Sequence, residues 1–327
     1  MQSFKAHRIF DESCKVASRL VEMRLDELDA GDVVVKSSYA SVNYKDALAA
    51  TGKGKIITKF PCNGGIDVSG VVVSSGSPRF KAGDEVICHG FGIGVSHDGG
   101  FSEYCRVKSE WMLPIPKGLD LFDAAALGVA GYTAAVAIHE AEHNGMKPAD
   151  GKIAVTGATG GVSSVVIDIL ANRGYHVVAI SGKDAEHDYL KKLGAAEVVS
   201  TKGLEMGKRP MEKGLWAHAF DAVGGEPLAW LTRTTRDYGV IAAYGNAAGF
   251  ALNTTVLPFI LRGVKLIGVQ SNSPMALREK LWARLATDLR PRFLKEVART
   301  IRIEDLPEAF NGLIESRVRG RNVVKFG

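Results

Sequence analysis

Four cysteines in 327 residues leave little room for metal or disulfide chemistry. Cys14, Cys62, Cys88 and Cys105 form no CxxC pair, and no histidine cluster completes a ligand set. No metal is expected. A chain of this size needs no disulfide framework, so the four read as reduced thiols of a cytoplasmic protein. Long hydrophobic runs are missing too: none reaches about 18 residues, the length of a membrane span. The opening MQSFKAHRIFDES has no apolar core and does not read as a secretory signal. Nor is there a block of one charge. Lys and Arg number 41 and Asp and Glu 36, a net charge of +5 dispersed along the chain. That is too mild to argue for nucleic acid, though compatible with an anionic small molecule. The sequence has no internal repeat and no low-complexity linker.

What is present is a globular composition, 46% hydrophobic and 24% charged, with a length that suggests two domains. Residues 1–118 are β-rich. VVVKSSYASVNY, DVSGVVVSSG, DEVICHGFGIG and FSEYCRVKSEWMLPIP are short β-branched runs broken by Gly, Ser and Pro, the pattern of a sandwich or partly closed barrel. From about 120 an Ala-rich helical stretch follows. GKIAVTGATGG then opens an alternation in which HVVAISG, AEVVST, WAHAFDAVGG, GVIAAYGN and KLIGVQS are the later strands. Alternation of this kind predicts a doubly wound parallel sheet. The final RNVVKFG has no partner in that series and is expected to return to the first domain. The expected division is 1–118 with 291–327, and 119–290.

The second domain carries the clearest site. Ile153 to Thr156 reads as a strand, Gly157-Ala158-Thr159-Gly160-Gly161 as the turn, and Val162 to Arg173 as the helix. Val162, Val165, Val166, Ile169 and Leu170 predict one buried face. Such a turn lets a backbone approach a pyrophosphate at the positive end of a helix. Thr159, Gly160, Gly161 and Val162 are therefore candidate cofactor contacts. The last small position is Ser163 rather than Gly. The second strand ends Ser181-Gly182-Lys183, without the acid that holds the ribose 2′-hydroxyl of NAD. Ser181 can donate to a 2′-phosphate, Lys183 adds a positive charge, and Lys202 past the third strand can add another. The expected cofactor is NADPH; Asp184, just beyond, leaves NAD open.

SVNYKDALAATGKGKI, GIDVSGVV, RFKAGDEVI, GGFSEY, GVAGYTA, VTGATGGV, ISGK, TTVLPFILRGVKLIGVQS and GRNVVKF span the chain. They resemble the medium-chain dehydrogenase/reductase superfamily in its quinone-oxidoreductase-like branch. Within it they are most similar to the acrylyl-CoA reductase family. The resemblance implies an α/β protein with a GroES-like β-rich catalytic domain built from both chain ends and a Rossmann NADPH-binding domain between them. It implies an oxidoreductase acting on a CH–CH group that reduces acrylyl-CoA to propionyl-CoA. The zinc-dependent branch is not matched. Asn43-Tyr44-Lys45-Asp46 stands at the first metal-ligand position, Gly65-Ile66-Asp67 has no His, and the four-Cys lobe is absent.

In the implied reaction, charge develops on the thioester oxygen. Tyr44 and Asn43 are the candidate catalytic groups, as donors to that oxygen. For Tyr44, packing on the nicotinamide ring remains open, and for Asn43 a structural turn role. Asp46 can orient Lys45 or Tyr44, or only start a helix. Thr133, Asn246, Ile260 and Ser271 are candidate cofactor contacts. Arg321 can reach a phosphate or make a surface ion pair, and Lys53 and Lys55 can meet the coenzyme A tail or stay solvated. The β-rich edge NTTVLPFILRGVKLIGVQS predicts a homodimer. Two other functions stay open: an NADPH-dependent quinone or enone oxidoreductase, and a non-catalytic nucleotide-binding protein.

Overall fold

The computed structural model describes residues 3–327. Its β-rich part begins with β1 (Phe4–Glu12), β2 (Lys15–Met23) and β3 (Val33–Val42), then α1 (Tyr44–Ala50). Strands β4 (Cys62–Asn63), β5 (Asp67–Ser75), β6 (Glu85–His89), β7 (Tyr104–Val107) and β8 (Met112–Pro114) follow. Helix α2 (Leu121–His143) leads into β9 (Lys152–Thr156), α3 (Gly161–Asn172), β10 (His176–Ser181), α4 (His187–Lys192) and β11 (Glu197–Ser200). Next come β12 (His218–Asp221), α5 (Gly225–Thr234), β13 (Val240–Ala243), α6 (Leu257–Arg262) and β14 (Lys265–Gly268). The chain closes with α7 (Met275–Leu285), α8 (Leu294–Val297), β15 (Ala298–Ile301), α9 (Leu306–Ile314) and β16 (Arg321–Lys325).

Two compact units result. The first holds the chain up to Ala130, Asn272–Thr287 and Leu294–Gly327; the second holds Gly131–Ser271 and Asp288–Phe293. The sequence pattern gave 119–290 to the second. The difference lies in the start of α2 and in all of α7, helices whose membership depends on what they pack against and which join the first unit, and in residues 291–293, which join the second.

In the first unit, β2, β1 and β4 form a small antiparallel sheet, and the larger sheet runs β15-β16-β3-β5-β6-β8 with β7 also on β3. The tail does return there, β16 pairing antiparallel with β3 (Val324 opposite Ala40). Valines alternate inward along β3 and β5, and Val33, Val35, Val68, Val72, Val86 and Met112 form one core. A second core joins Ile9, Val42, Ala47, Phe101, Phe310 and Val324.

The second unit is a six-stranded parallel sheet in the order β11-β10-β9-β12-β13-β14. The order reverses between β9 and β12, so the chain's switch point falls beside β9. Helix α3 departs from the expected single buried face: it is buried all round from Ser163 to Leu170. The returning segment accounts for this, since Phe293 N–H donates to the buried Asp168 Oδ2 at 2.7 Å.

Helix α2 has the length and hydropathy of a membrane span, but 78% of its most apolar stretch is buried inside the fold. It breaks at Gly128, with φ 45° and ψ −146°. A side chain there would be strained, and its Cβ would lie 2.6 Å from Asp67 Oδ2.

His7, in β1, is buried with both ring nitrogens unpartnered and its edge against Phe310. Burial lowers its pKa from 6.5 to about 4. Between those values the unfolded chain binds more protons than the folded one. The stability from keeping His7 neutral is complete above about pH 6.5 and is lost as pH falls through that window. Urea unfolding should therefore show about 2 kcal/mol less stability from this group at pH 5.0 than at pH 7.5. His7→Leu should lack that share of the slope; an unchanged slope would refute it.

Candidate active site

All strands of the second unit run the same way, so their carboxyl ends share one edge. The glycine turn follows β9, Ser181-Gly182-Lys183 follows β10, Asn246 follows β13 and Ser271 follows β14. Gly157 takes φ 55°, which lets the chain turn sharply out of β9. The buried carboxylate of Asp221, at the end of β12, fastens this edge. It accepts from Thr156 Oγ1 at 2.6 Å and from the backbone N–H groups of Gly224 and Val223 at 2.7 and 3.3 Å. Burial pushes its pKa above the usual value despite these donors.

Ser163, the departure from the glycine pattern, ties helix to strand. Its hydroxyl donates to Thr156 O at 2.9 Å, so Tyr244 OH, 3.0 Å away, donates to it. The N-terminus of α3 has Gly160 as its N-cap, no side-chain cap and no acid in its first turn. Thr159 is buried beside it, while Gly160, Gly161 and Val162 are half-exposed. An uncapped, uncharged helix start with accessible backbone fits a dinucleotide's diphosphate.

At β10, Ser181 is buried, Gly182 exposed and Lys183 half-buried, with Lys183 N–H donating to Ser181 Oγ at 3.1 Å. Burial lowers the pKa of Lys183. Thr133 is buried in α2, Asn246 is exposed and Ser271 is half-exposed. The structure does not bring Ile260 to this edge. It is 68% exposed, in the last turn of α6. That turn is held at the amino end of β13, where Tyr238 N–H donates to Arg262 O and Arg262 donates to the carbonyls of Arg233 and Thr235.

In the first unit, β3 ends at Val42, Asn43 is the N-cap of α1, and Tyr44 is its first residue, 41% exposed. Behind Tyr44 lies a buried polar network. The Asn43 amide lies 3.1 Å from both Asp46 Oδ2 and Asp67 Oδ2 and 3.2 Å from Ser41 O. Its carbonyl accepts from Arg321 Nη2 at 3.3 Å. Asp67 Oδ1 accepts from Ser41 N–H at 2.7 Å; its Oδ2 accepts from the Ser41 hydroxyl and, at 3.0 Å, from Val129 N–H beyond the α2 break. Asp46 accepts from Ile66 N–H at 3.0 Å and Asn43 N–H at 2.8 Å. Burial and the neighbouring Asp67 raise its pKa to about 7.

Two sequence expectations change here. Asn43 was a candidate donor to substrate, but its amide faces acceptors inside the protein. Arg321 was a candidate phosphate contact, but it is 3% exposed and donates to Ser41 and Asn43. A buried guanidinium without partners is costly, which is why it sits beside two carboxylates. Ser41 and Asp67 carry this network and did not stand out in the sequence; the one available signal was an Asp at the head of a valine-rich strand. Lys53 and Lys55 are exposed. Among the described residues no group of three His, Cys, Asp or Glu could hold a metal ion.

The alcohol dehydrogenase GroES-like domain family matches residues 29–117, and the zinc-binding dehydrogenase family matches residues 161–287. A probable acrylyl-CoA reductase of Escherichia coli, AcuI, is 45% identical over 94% of both chains. A putative quinone oxidoreductase of Bacillus subtilis, YhfP, is 41% identical over 99% of this chain and 98% of its own. The crystal structure of YhfP, with NAD bound, superposes with a TM-score of 0.96 at 40% identity over the whole of both chains. The YhdH oxidoreductase of Salmonella enterica, solved with NADP, gives 0.95 at 44% identity over 99% of this chain and 100% of its own.

Arg321→Met tests the placement of the guanidinium. It should cost about 3 kcal/mol in unfolding free energy, because it strands buried carboxylates. It should leave the Kd for NADPH within about twofold. A tenfold loss of NADPH affinity with unchanged stability would return Arg321 to the phosphates.

Proposed function

The chain belongs to the medium-chain dehydrogenase/reductase superfamily, within its acrylyl-CoA reductase family, and from that premise we propose that it reduces the C=C bond of acrylyl-CoA to give propionyl-CoA with NADPH. The reading is carried by likeness along nearly the whole of both chains to a relative named for that reaction. The acid-free ending Ser181-Gly182-Lys183 supports NADPH independently.

The uncapped start of α3 holds the diphosphate, and Ser181 and Lys183 hold the 2′-phosphate. When bound, NADPH supplies the hydride that the β-carbon receives, and the α-carbon then takes a solvent-derived proton to complete propionyl-CoA. The protein meets the charge that develops on the thioester oxygen with hydrogen-bond donors. Tyr44 is the proposed donor: its side chain is accessible, and its backbone is fixed at the first turn of α1. Asn43 acts on Tyr44 rather than on substrate. By engaging Asp46, Asp67 and Arg321 it pins the junction between β3 and α1. Thr133, Asn246 and Ser271 complete the proposed cofactor contacts.

The relative named as a quinone oxidoreductase keeps a second reading open, the reduction of quinones or enones without coenzyme A recognition. Substrate comparison separates the two. Acrylyl-CoA should show a kcat/KM at least tenfold above that of a truncated acrylyl thioester; equal values would favour the quinone reading. Tight NADPH binding without turnover of any activated alkene would point to a non-catalytic role.

The same reading includes a cytoplasmic homodimer. Cys62, Cys88 and Cys105 are buried free thiols. Strand β14 is the end of its sheet, and Val256, Ile260 and Leu261 nearby are more than 60% exposed, an edge that pairing with a second copy would cover. Light scattering at micromolar concentration should give twice the 35.0 kDa chain mass, and a monomer mass would count against the dimer.

A further inference from the structure

An acid does stand close to the end of β10. Asp184 directly follows Ser181-Gly182-Lys183, and a free carboxylate there would repel a 2′-phosphate of nearly two negative charges. Protonation does not remove its charge: hydrogen bonds from Lys202 and Ser200 hold its carboxyl below the usual carboxylate range.

The structure shows where that charge is directed. Asp184 Oδ2 accepts from Lys202 Nζ at 2.7 Å, and Oδ1 accepts from Ser200 Oγ at 2.7 Å. His187 Nε2 lies 3.7 Å from Oδ1. Ser200 also accepts from Lys202 N–H at 3.1 Å, so the serine and lysine grip the acid as one turn. This turn is anchored to the strand that carries the candidate phosphate contacts. Ser200 is the register partner of Ser181, and Thr201 N–H donates to Ser181 O at 3.0 Å. The Lys202 side chain is 72% exposed, so the pair contributes little to stability. Its consequence is for binding, where an uncompensated acid beside a phosphate matters more.

We propose that Lys202 is a specificity-determining residue that acts through Asp184: by holding the acid against the end of β11, it leaves the Ser181–Lys183 segment free to take the 2′-phosphate of NADPH. Lys202 does this without being the phosphate's own ligand, and the acid would oppose NADPH if released. The inference rests on the NADPH reading above, and binding measurements separate the two.

Kd values for NADPH and NADH should be measured by fluorescence titration at fixed ionic strength, on wild type, Lys202→Ala, Asp184→Asn and the double variant. Lys202→Ala should weaken NADPH by tenfold or more and leave NADH within about twofold. The double variant should bind NADPH within about threefold of wild type, because the released acid is gone. Thermal midpoints should stay close to wild type, as expected for an exposed pair. If Lys202→Ala weakens NADPH and Asp184→Asn does not restore it, Lys202 is a direct phosphate ligand and the proposal falls. NADPH affinity unchanged in Lys202→Ala also overturns it. If wild type binds NADH as tightly as NADPH, the NADPH reading fails and takes this proposal with it.

Discussion

The first unit depends on one buried carboxylate. Asp67 opens β5 and gathers N–H and O–H donors from β3, from the cap of α1 and from the break in α2. None of these groups could be left alone in an apolar interior, since an unpaired buried N–H costs about as much as a lost hydrogen bond. The break in α2 frees the N–H of Val129, and Asp67 takes it. Gly128 is required twice over, by its backbone conformation and by the carboxylate against which a Cβ would press. Arg321 brings the compensating charge from the last strand. Asp46 belongs to the same cluster, and burial together with the neighbouring Asp67 raises its pKa to about 7.

The second unit repeats the device with different partners. Asp221 ties the ends of β9 and β12 together beside the glycine turn, and Ser163 and Tyr244 add a second clasp. The carboxyl ends of β9 and β12 are thereby fastened by the protein's own side chains. Asp184 uses the same principle in an exposed setting, where the partners are Lys202 and Ser200. In all three places a carboxylate near an element boundary is engaged by the protein itself. The N–H groups that remain uncapped at the start of α3 are then the ones offered to an anion.

Much of this was legible in the chain. The inner strands β9, β10 and β13 appeared as short Val-, Ile- and Ala-rich runs, because a strand buried on both faces has little choice of composition. The glycine turn and the acid-free ending of β10 are local features, and local sequence is enough to state them. The return of RNVVKFG to the first unit could be expected because the parallel series had no place for it. The membership of α7 could not, since an amphipathic helix suits any apolar surface of the right shape. Ile260 was misplaced for a related reason: its segment looks equally suited to lining a cofactor or covering a sheet edge.

The sequence alone determined the class of fold and the chemistry of the nucleotide turn, because these rest on composition and on residues a few positions apart, and motifs spread along the chain carried the resemblance to its family. Only the tertiary structure decided which polar side chains are free to act. Ser41 and Arg321 lie 280 positions apart, yet their bond makes the arginine an interior strut. Asp184 and Lys202 are separated by 18 positions and meet because β10 and β11 pair in register. The residue types make Arg321 and Asn43 read as ligands. The pairing of strands gives them partners inside the protein, and a side chain's hydrogen-bonding capacity, once engaged there, is not offered to a substrate.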